Sequence, residues 1–387
     1  MQATQTVQTA RINLSDIRQW VTVIGMIYLL LLAVGMIGTG FKWAAGGAEG
    51  ARELFAFATN PFMGLIIGTM ATALVQSSST VTSIIVGLVG GGLPVSIAIP
   101  MILGVNIGTT MTATLVSLGS LGGARKTFRR SFAAATVHGF FNLMAVFIFM
   151  PLEMSTGFLE KLSSSMAHFF YGDGSASSMD MGGFDFVKPI TKPVVHQIGD
   201  MLSFLPENYG GVALALLGLV FVFLSIGILG QTLKVLMVGR AKDLLHKAIG
   251  NGPVKSIASG ALITVAVQSS STTTSLIVPL AGSGVFRLKD VYPFTLGANI
   301  GTCITALLAA TTVSGAMAMQ GLQIAFVHLL FNVSAVLLIY CTPQLRAIPF
   351  RTARVFAQKA SRNKGIVFAY IIGVFFVLPG LLIFVTG

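Results

Sequence analysis

The sequence predicts an all-α polytopic membrane protein made of two inverted-topology repeats, each carrying a re-entrant helical hairpin, with one extra span at the C-terminus. Three observations predict it. Apolar residues make up 54% of the 387-residue chain and charged residues 9%, with mean hydropathy +0.85; apolar runs reach the roughly 20 residues that cross a bilayer. The pentapeptide Gln76-Ser77-Ser78-Ser79-Thr80 returns letter for letter as Gln268-Ser269-Ser270-Ser271-Thr272, inside a second apolar run. Three basic segments, 125–130, 234–255 and 346–364, fall where an inverted arrangement puts its cytoplasmic loops.

Taken in order, residues 1–18 form a polar cytoplasmic tail, with Arg11 and Arg18 ahead of a first span at about 20–40. No cleavable signal peptide is expected, because that apolar run is long enough to remain in the membrane. Residues 42–60 read as a short amphipathic connection. Segment 61–92 has Pro61 in front, the polar pentapeptide in the middle and Gly90-Gly91-Gly92 behind. Each half is too short to cross a ~30 Å hydrocarbon core as a straight helix, which predicts two half-helices meeting at the polar run. A span at 93–118 carries Asn106-Ile107-Gly108-Thr109-Thr110 and ends before the cationic cluster Arg125, Lys126, Arg129 and Arg130. A span at about 131–151, containing His138-Gly139-Phe140-Phe141-Asn142, completes the first repeat (19–152).

Residues 153–208 hold seven of the twelve acidic residues and predict a long non-cytoplasmic loop. The second repeat (209–345) then replays the first. It has a span at 209–230, a basic stretch with Arg240, Lys242 and Lys247, and a hairpin at 253–284. Asn299-Ile300-Gly301-Thr302-Cys303 and His328-Leu329-Leu330-Phe331-Asn332 follow in their own spans. The three recurring motifs are offset by 192, 193 and 190 residues, so the chain is an internal duplication. A basic cytoplasmic loop (346–364) and a final span (365–387) lie outside it. With the basic segments inside the cell, the two copies are inverted relative to each other, an arrangement of secondary transporters that puts the substrate near the midplane.

The polar motifs offer amides, hydroxyls and helix N-termini with no fixed charge. Five polar residues in a row are costly in a membrane interior unless partnered. Ser77–Ser79 and Ser269–Ser271 are expected to begin the second half-helix of each hairpin, where unpaired N–H groups and hydroxyls suit an anion. Carbonyls freed at the break, with amide and hydroxyl oxygens, suit a hard cation such as Na⁺. No Asp or Glu occurs from Leu54 to Pro151, from Leu244 to Arg287, or after Asp290. That argues against a carboxylate proton relay and for coupling through neutral oxygens. Asn106 and Asn299 are read as lining the site or capping a kink, His138 and His328 as packing or interhelical hydrogen bonds. The formal charge of +12 reflects cytoplasmic loops and not nucleic-acid binding. Cys303 and Cys341 lie in apolar helices without ligand spacing and are expected as free thiols. An intramembrane serine hydrolase is the remaining alternative class, but the chain has no Gly-x-Ser-x-Gly elbow and no acid to orient either histidine.

These motifs resemble the type II sodium-dependent inorganic phosphate cotransporter family over residues 20–345. The resemblance rests on the paired Gln-Ser-Ser-Ser signatures, Asn106–Thr110 and Asn299–Thr302, Phe128-Arg129-Arg130-Ser131-Phe132 through Asn142, and Tyr292–Asn299. It implies secondary active, Na⁺-coupled symport of HPO₄²⁻ by alternating access, without enzymatic activity or a cofactor; Na⁺ is the coupling ion. The implied phosphate site is Gln76, Ser77, Ser78, Ser79, Gln268, Ser269, Ser270 and Ser271. The implied sodium site is Gln76, Ser79, Thr80, Asn106, Thr109, Thr110, Gln268, Thr272, Thr273, Asn299 and Thr302. Charge-moving members of the family carry Asp after the first motif histidine; this chain has Gly139, so the resemblance does not extend to an extra Na⁺ site. The short tails resemble a bacterial member, which implies a multi-pass protein of the inner membrane. Its expected partners are phosphate, Na⁺ and lipid, with a homo-oligomer compatible. Arsenate, sulfate or a small carboxylate on the same scaffold stays open as a substrate.

Overall fold

The computed structural model describes residues 14–47, 50, 60–171, 187–248, 252–313 and 317–381. Among these residues it is helical, without strands. The helices are α1 (Leu14–Ala44), α2 (Pro61–Val75), α3 (Ser78–Gly91), α4 (Val95–Leu118), α5 (Arg125–Thr156), α6 (Phe158–Tyr171) and α7 (Val187–Leu202). They continue as α8 (Glu207–Ala248), α9 (Pro253–Val267), α10 (Ser270–Ser283), α11 (Leu288–Ala310), α12 (Ala318–Ala335, prolonged by a π-helical turn to Tyr340), α13 (Pro343–Ala360) and α14 (Gly365–Ile372, carried on to Leu381). Six helices are long and apolar enough to cross a membrane: α1, α4, α5, α8, α11 and α12. The chain is therefore multi-pass.

Burial separates these six into two classes. In α4 and α11, 83% and 78% of the apolar window is covered by protein, against 44% in α1 and 28% in α8. A helix apolar all round and covered by its neighbours is central, and one apolar all round but uncovered faces lipid. So α4 and α11 form the centre and α1 with α8 the periphery. The short helices pack onto the centre, α2 against α4 and α9 against α11. Glycine permits that approach. A Cβ on Gly108 would meet the Thr69 carbonyl oxygen at 2.5 Å, and one on Gly301 the Ala261 carbonyl oxygen at 2.6 Å. This is the small-residue contact that membrane helices use to bring backbones together, and it accounts for the glycine in both Asn-Ile-Gly motifs.

The structure corrects the sequence reading in three places. Segment 153–208 is not a plain loop: α6 and α7 lie in it, both amphipathic, and α7 packs against α1 and α8. They are only 14 and 16 residues long, too short to cross a bilayer as straight helices, so a search for spans passes over them. The cluster 125–130 is the first turn of α5, and 346–360 belongs to α13. The first begins ahead of its apolar stretch, and α13 is a separate amphipathic helix that carries Arg346, Arg351, Arg354 and Lys359. The tail 1–13, most of the connection 42–60, and residues 382–387 of the last span lie outside the described residues.

Candidate functional site

Both polar pentapeptides sit at breaks between helices. Gln76 ends α2 with φ 59° and Gln268 ends α9 with φ 54°, and these are the only non-glycine residues at positive φ among the described residues. A glutamine in the left-handed region costs free energy and persists only where the surroundings hold it. Here the side chain does the holding, by the same pattern in both copies. Gln76 Nε2 donates to the Ala73 carbonyl, and Gln76 Oε1 accepts from Thr112 Oγ1 at 2.8 Å. Gln268 Nε2 donates to the Val265 carbonyl at 2.7 Å, and its Oε1 accepts from Thr305 Oγ1 at 2.9 Å. Each glutamine thus caps the half-helix it ends and is tied to the neighbouring long helix, α4 or α11.

The next residue starts the second half-helix. Ser77 caps α3 by accepting from Thr80 N–H (3.3 Å) and Thr80 Oγ1 (2.7 Å); Ser269 caps α10 by accepting from Thr272 N–H (3.1 Å). Serine at an N-cap satisfies one orphan amide of the first turn and leaves its own hydroxyl proton to donate elsewhere. The first intrahelical bonds are Val81 N–H to the Ser77 carbonyl (3.2 Å) and Thr273 N–H to the Ser269 carbonyl (3.1 Å). The amides of Ser78, Ser79, Ser270 and Ser271 precede them and so have no helical acceptor.

The two breaks meet. Ser78 Oγ and Ser270 Oγ are 3.2 Å apart, both side chains buried, and Ser271 Oγ donates to the Gln76 carbonyl at 3.2 Å. Two helix N-termini, each with the positive end of its dipole, therefore converge on one spot. Around the same breaks the last carbonyls of α2 and α9 lack helical donors. The arrangement combines N–H and hydroxyl donors with carbonyl, amide and hydroxyl oxygens. Among the described residues no group of three or more His, Cys, Asp or Glu is placed to hold a metal ion.

A second polar cluster joins the other motifs. His138 Nε2 lies 2.7 Å from Asn299 Oδ1, Asn299 Nδ2 donates to Asn142 Oδ1 at 2.9 Å, and Asn142 Nδ2 donates to the Asn106 carbonyl at 2.6 Å. All four residues are buried, and they tie α5 to both central helices. The matched histidine behaves differently. His328 is equally buried but has no bond to an asparagine side chain, and Asn332 donates to the His328 carbonyl at 2.9 Å and to Cys303 Sγ at 3.7 Å. The network thus exists on one side of the duplication only.

The structure brings Gln76, Ser78, Ser270 and Ser271 together, with Ser77, Ser79, Thr80, Gln268, Ser269, Thr272 and Thr273 on the same two caps. Asn299 belongs instead to the histidine cluster, which Asn106 joins only through its backbone carbonyl, its side chain donating to the Ile102 carbonyl at 2.9 Å. Thr109, Thr110 and Thr302 spend their hydroxyl protons on carbonyls of their own helices. The hydroxyls that reach the glutamines are those of Thr112 and Thr305, which the sequence reading passed over. Their signal was available: each stands one turn beyond Thr109 or Thr302, at the same 193-residue offset as the Asn-Ile-Gly motif.

The comparisons with known proteins point the same way. The family model described as Na+/Pi-cotransporter matches residues 29–172 and 220–348. Sodium-dependent phosphate transport protein 2A of Rattus norvegicus is 32% identical over 92% of this chain and 66% of its own length. The 2A protein of Oryctolagus cuniculus is 31% identical over 92% and 65%, and the 2B protein of Homo sapiens 30% over 93% and 64%. The chain thus spans just under two thirds of the length of these relatives. No solved structure matches it significantly. A family model that matches 29–172 and 220–348, each block holding one copy of the polar pentapeptide, establishes that this chain belongs to the Na⁺/Pi-cotransporter family.

Proposed function

We propose that the protein is a Na⁺-coupled symporter of inorganic phosphate, built from two inverted repeats whose hairpins, 61–92 and 253–284, are re-entrant and form one central site. The observation that carries this reading is the convergence of Ser78 and Ser270. Two positive helix ends with unpaired amides, brought together where no carboxylate stands, favour an anion at their junction. Phosphate, with oxygens on every side, accepts from both ends at once. The relatives are named for sodium-dependent phosphate transport, which supports both the anion and the coupling ion.

In this mechanism Ser77, Ser78, Ser79, Ser269, Ser270 and Ser271 donate to the phosphate oxygens, while Gln76 and Gln268 fix the geometry of the break. Sodium takes the freed carbonyls at the ends of α2 and α9 with oxygens from Thr80, Thr272, Thr273 and the threonines of α4 and α11. Neutralising the phosphate in place lowers the cost of moving it through the membrane, so the empty and fully loaded forms interconvert while the phosphate-only form does not. The one-sided His138 cluster fits an alternating-access cycle in which the two halves do not occupy equivalent positions at any instant. The three basic segments face the cytoplasm, the 153–208 segment faces the opposite side, and the setting is a bacterial inner membrane.

Equilibrium binding of radiolabelled phosphate to the purified protein, in Na⁺ or in choline, tests the site. Binding that needs Na⁺, competes with arsenate and ignores sulfate is the expected result. Sulfate displacing phosphate equally would reassign the substrate to oxyanions in general, and binding indifferent to Na⁺ would remove the coupling.

A further inference from the structure

A cavity of about 700 Å³ lies at the opposite end of α10 from Ser270, between the first turns of α5, the α10–α11 connection and α13. It falls within the roughly 300–1,000 Å³ range of small-ligand sites. Five cations line it: Arg129 and Arg130 from α5, Arg287 and Lys289 from the α10–α11 connection and the start of α11, and Arg354 from α13. No Asp or Glu lines it. The nearby Asp290 instead caps α11, accepting from the Arg287 backbone N–H at 3.3 Å.

Basic residues at one membrane face are ordinarily an orientation signal, and that requires only that they lie in the right loops. Convergence of three separate segments on one concavity requires more, because like charges without a counter-ion repel. One of them is held in place. Gly284 ends α10 with φ 91°, and a Cβ there would meet Arg130 Nη1 at 2.5 Å. The guanidinium therefore rests on the C-terminal end of α10, where the helix dipole favours a cation. Ala133, Ala281 and Phe350 add apolar surface to the lining. Guanidinium groups recognise phosphate groups through paired N–H donors.

We propose that this cavity is a second anion site, taking a ligand with two or more phosphate charges, either the headgroup of an acidic lipid or a soluble polyphosphate. It is distinct from the Ser78–Ser270 site, since a 14-residue helix separates the two by about 20 Å. An occupant bridges α5, the end of the second hairpin and α13, and so holds the C-terminal end of α10 against its neighbours.

The test uses the whole protein in phosphatidylcholine nanodiscs at physiological ionic strength. One arm titrates tripolyphosphate by calorimetry. The other dopes the disc with cardiolipin and reads lipid retention by native mass spectrometry. At least one probe should bind the wild type, weakened about tenfold or more in Arg287→Gln/Arg354→Gln and unchanged in Gln268→Ala. Tripolyphosphate alone identifies a soluble ligand, cardiolipin alone a lipid. Should the double variant fail to fold, Lys289→Gln takes its place, with a few-fold weakening expected. Binding of neither probe overturns the proposal. So does binding that survives the cavity variants, or that Gln268→Ala removes along with the central site.

Discussion

Ser78 and Ser270, 192 residues apart in the chain, bring their hydroxyl oxygens to 3.2 Å. Each is the first residue of a helix capped by the preceding serine, so the contact joins two N-termini rather than two helix sides. Removing the hydroxyl at either position takes away one donor from the converged pair. Ser78→Ala and Ser270→Ala should each weaken phosphate binding by a hydrogen bond to a charged group, about 1.5–3 kcal/mol, with the protein still folded. Equal phosphate affinity in both variants and the wild type would show that these hydroxyls do not touch the anion.

Thr112 and Thr305 supply the oxygens' partners on the two glutamines. Replacing either with valine keeps the shape and strands a glutamine oxygen, at a cost of about 1–3 kcal/mol. The expected result is a higher apparent constant for both Na⁺ and phosphate, with similar effects in the two copies. The reading fails if Thr112→Val and Thr305→Val transport like the wild type.

Gln76 and Gln268 hold left-handed backbone that glycine adopts freely. Gln76→Gly should therefore cost little stability, since relief of the backbone offsets the lost side-chain bonds, yet uptake should drop sharply as the break loses its anchor to α4. Thermal unfolding and uptake measured on the same preparation separate the two effects. Loss of fold and uptake together would indicate a purely structural glutamine.

How much of this was legible in the sequence follows from the physics of each element. The breaks were visible because five consecutive polar residues within an apolar run interrupt a membrane helix at a cost that a lined cavity offsets. Their pairing was visible because the whole set of motifs recurs in order. The left-handed glutamines were not, since no propensity places glutamine at positive φ; their side-chain bonds, to the Ala73 or Val265 carbonyl and from Thr112 or Thr305, account for it. Helices α6 and α7 were hidden because each is too short to register as a span and the Gly/Ser-rich segment 172–186 lies between them. Six expected spans match helices long and apolar enough to cross a membrane, with ends misplaced because α5 carries Arg125 to Arg130 beyond the apolar stretch; the last, 365–387, is described only to Leu381. Interhelical hydrogen bonding by the histidines was among the expectations, but its restriction to His138 was not legible, because both copies share His-x-x-Phe-Asn and the partner of His138 is Asn299, 161 residues away.

That asymmetry makes its own prediction. His138→Phe breaks a buried bond to Asn299 and leaves its oxygen unpaired, at about 1–3 kcal/mol. Nδ1 is without a partner in both histidines, but His328 has no such bond to an asparagine side chain, so His328→Phe should cost less. Denaturation midpoints in detergent decide it; equal losses would mean that the two histidines are equivalent in solution.

The central claim is tested most directly by radiolabelled phosphate uptake into proteoliposomes, with an inward Na⁺ gradient set against an equal K⁺ gradient, for the wild type, Gln76→Ala and Gln268→Ala. Uptake that needs Na⁺ and is lost in both variants, each shown to be inserted, is the predicted result. Uptake at the same rate with K⁺, or persisting when one glutamine is gone, would contradict a sodium-coupled site shared by the two hairpins.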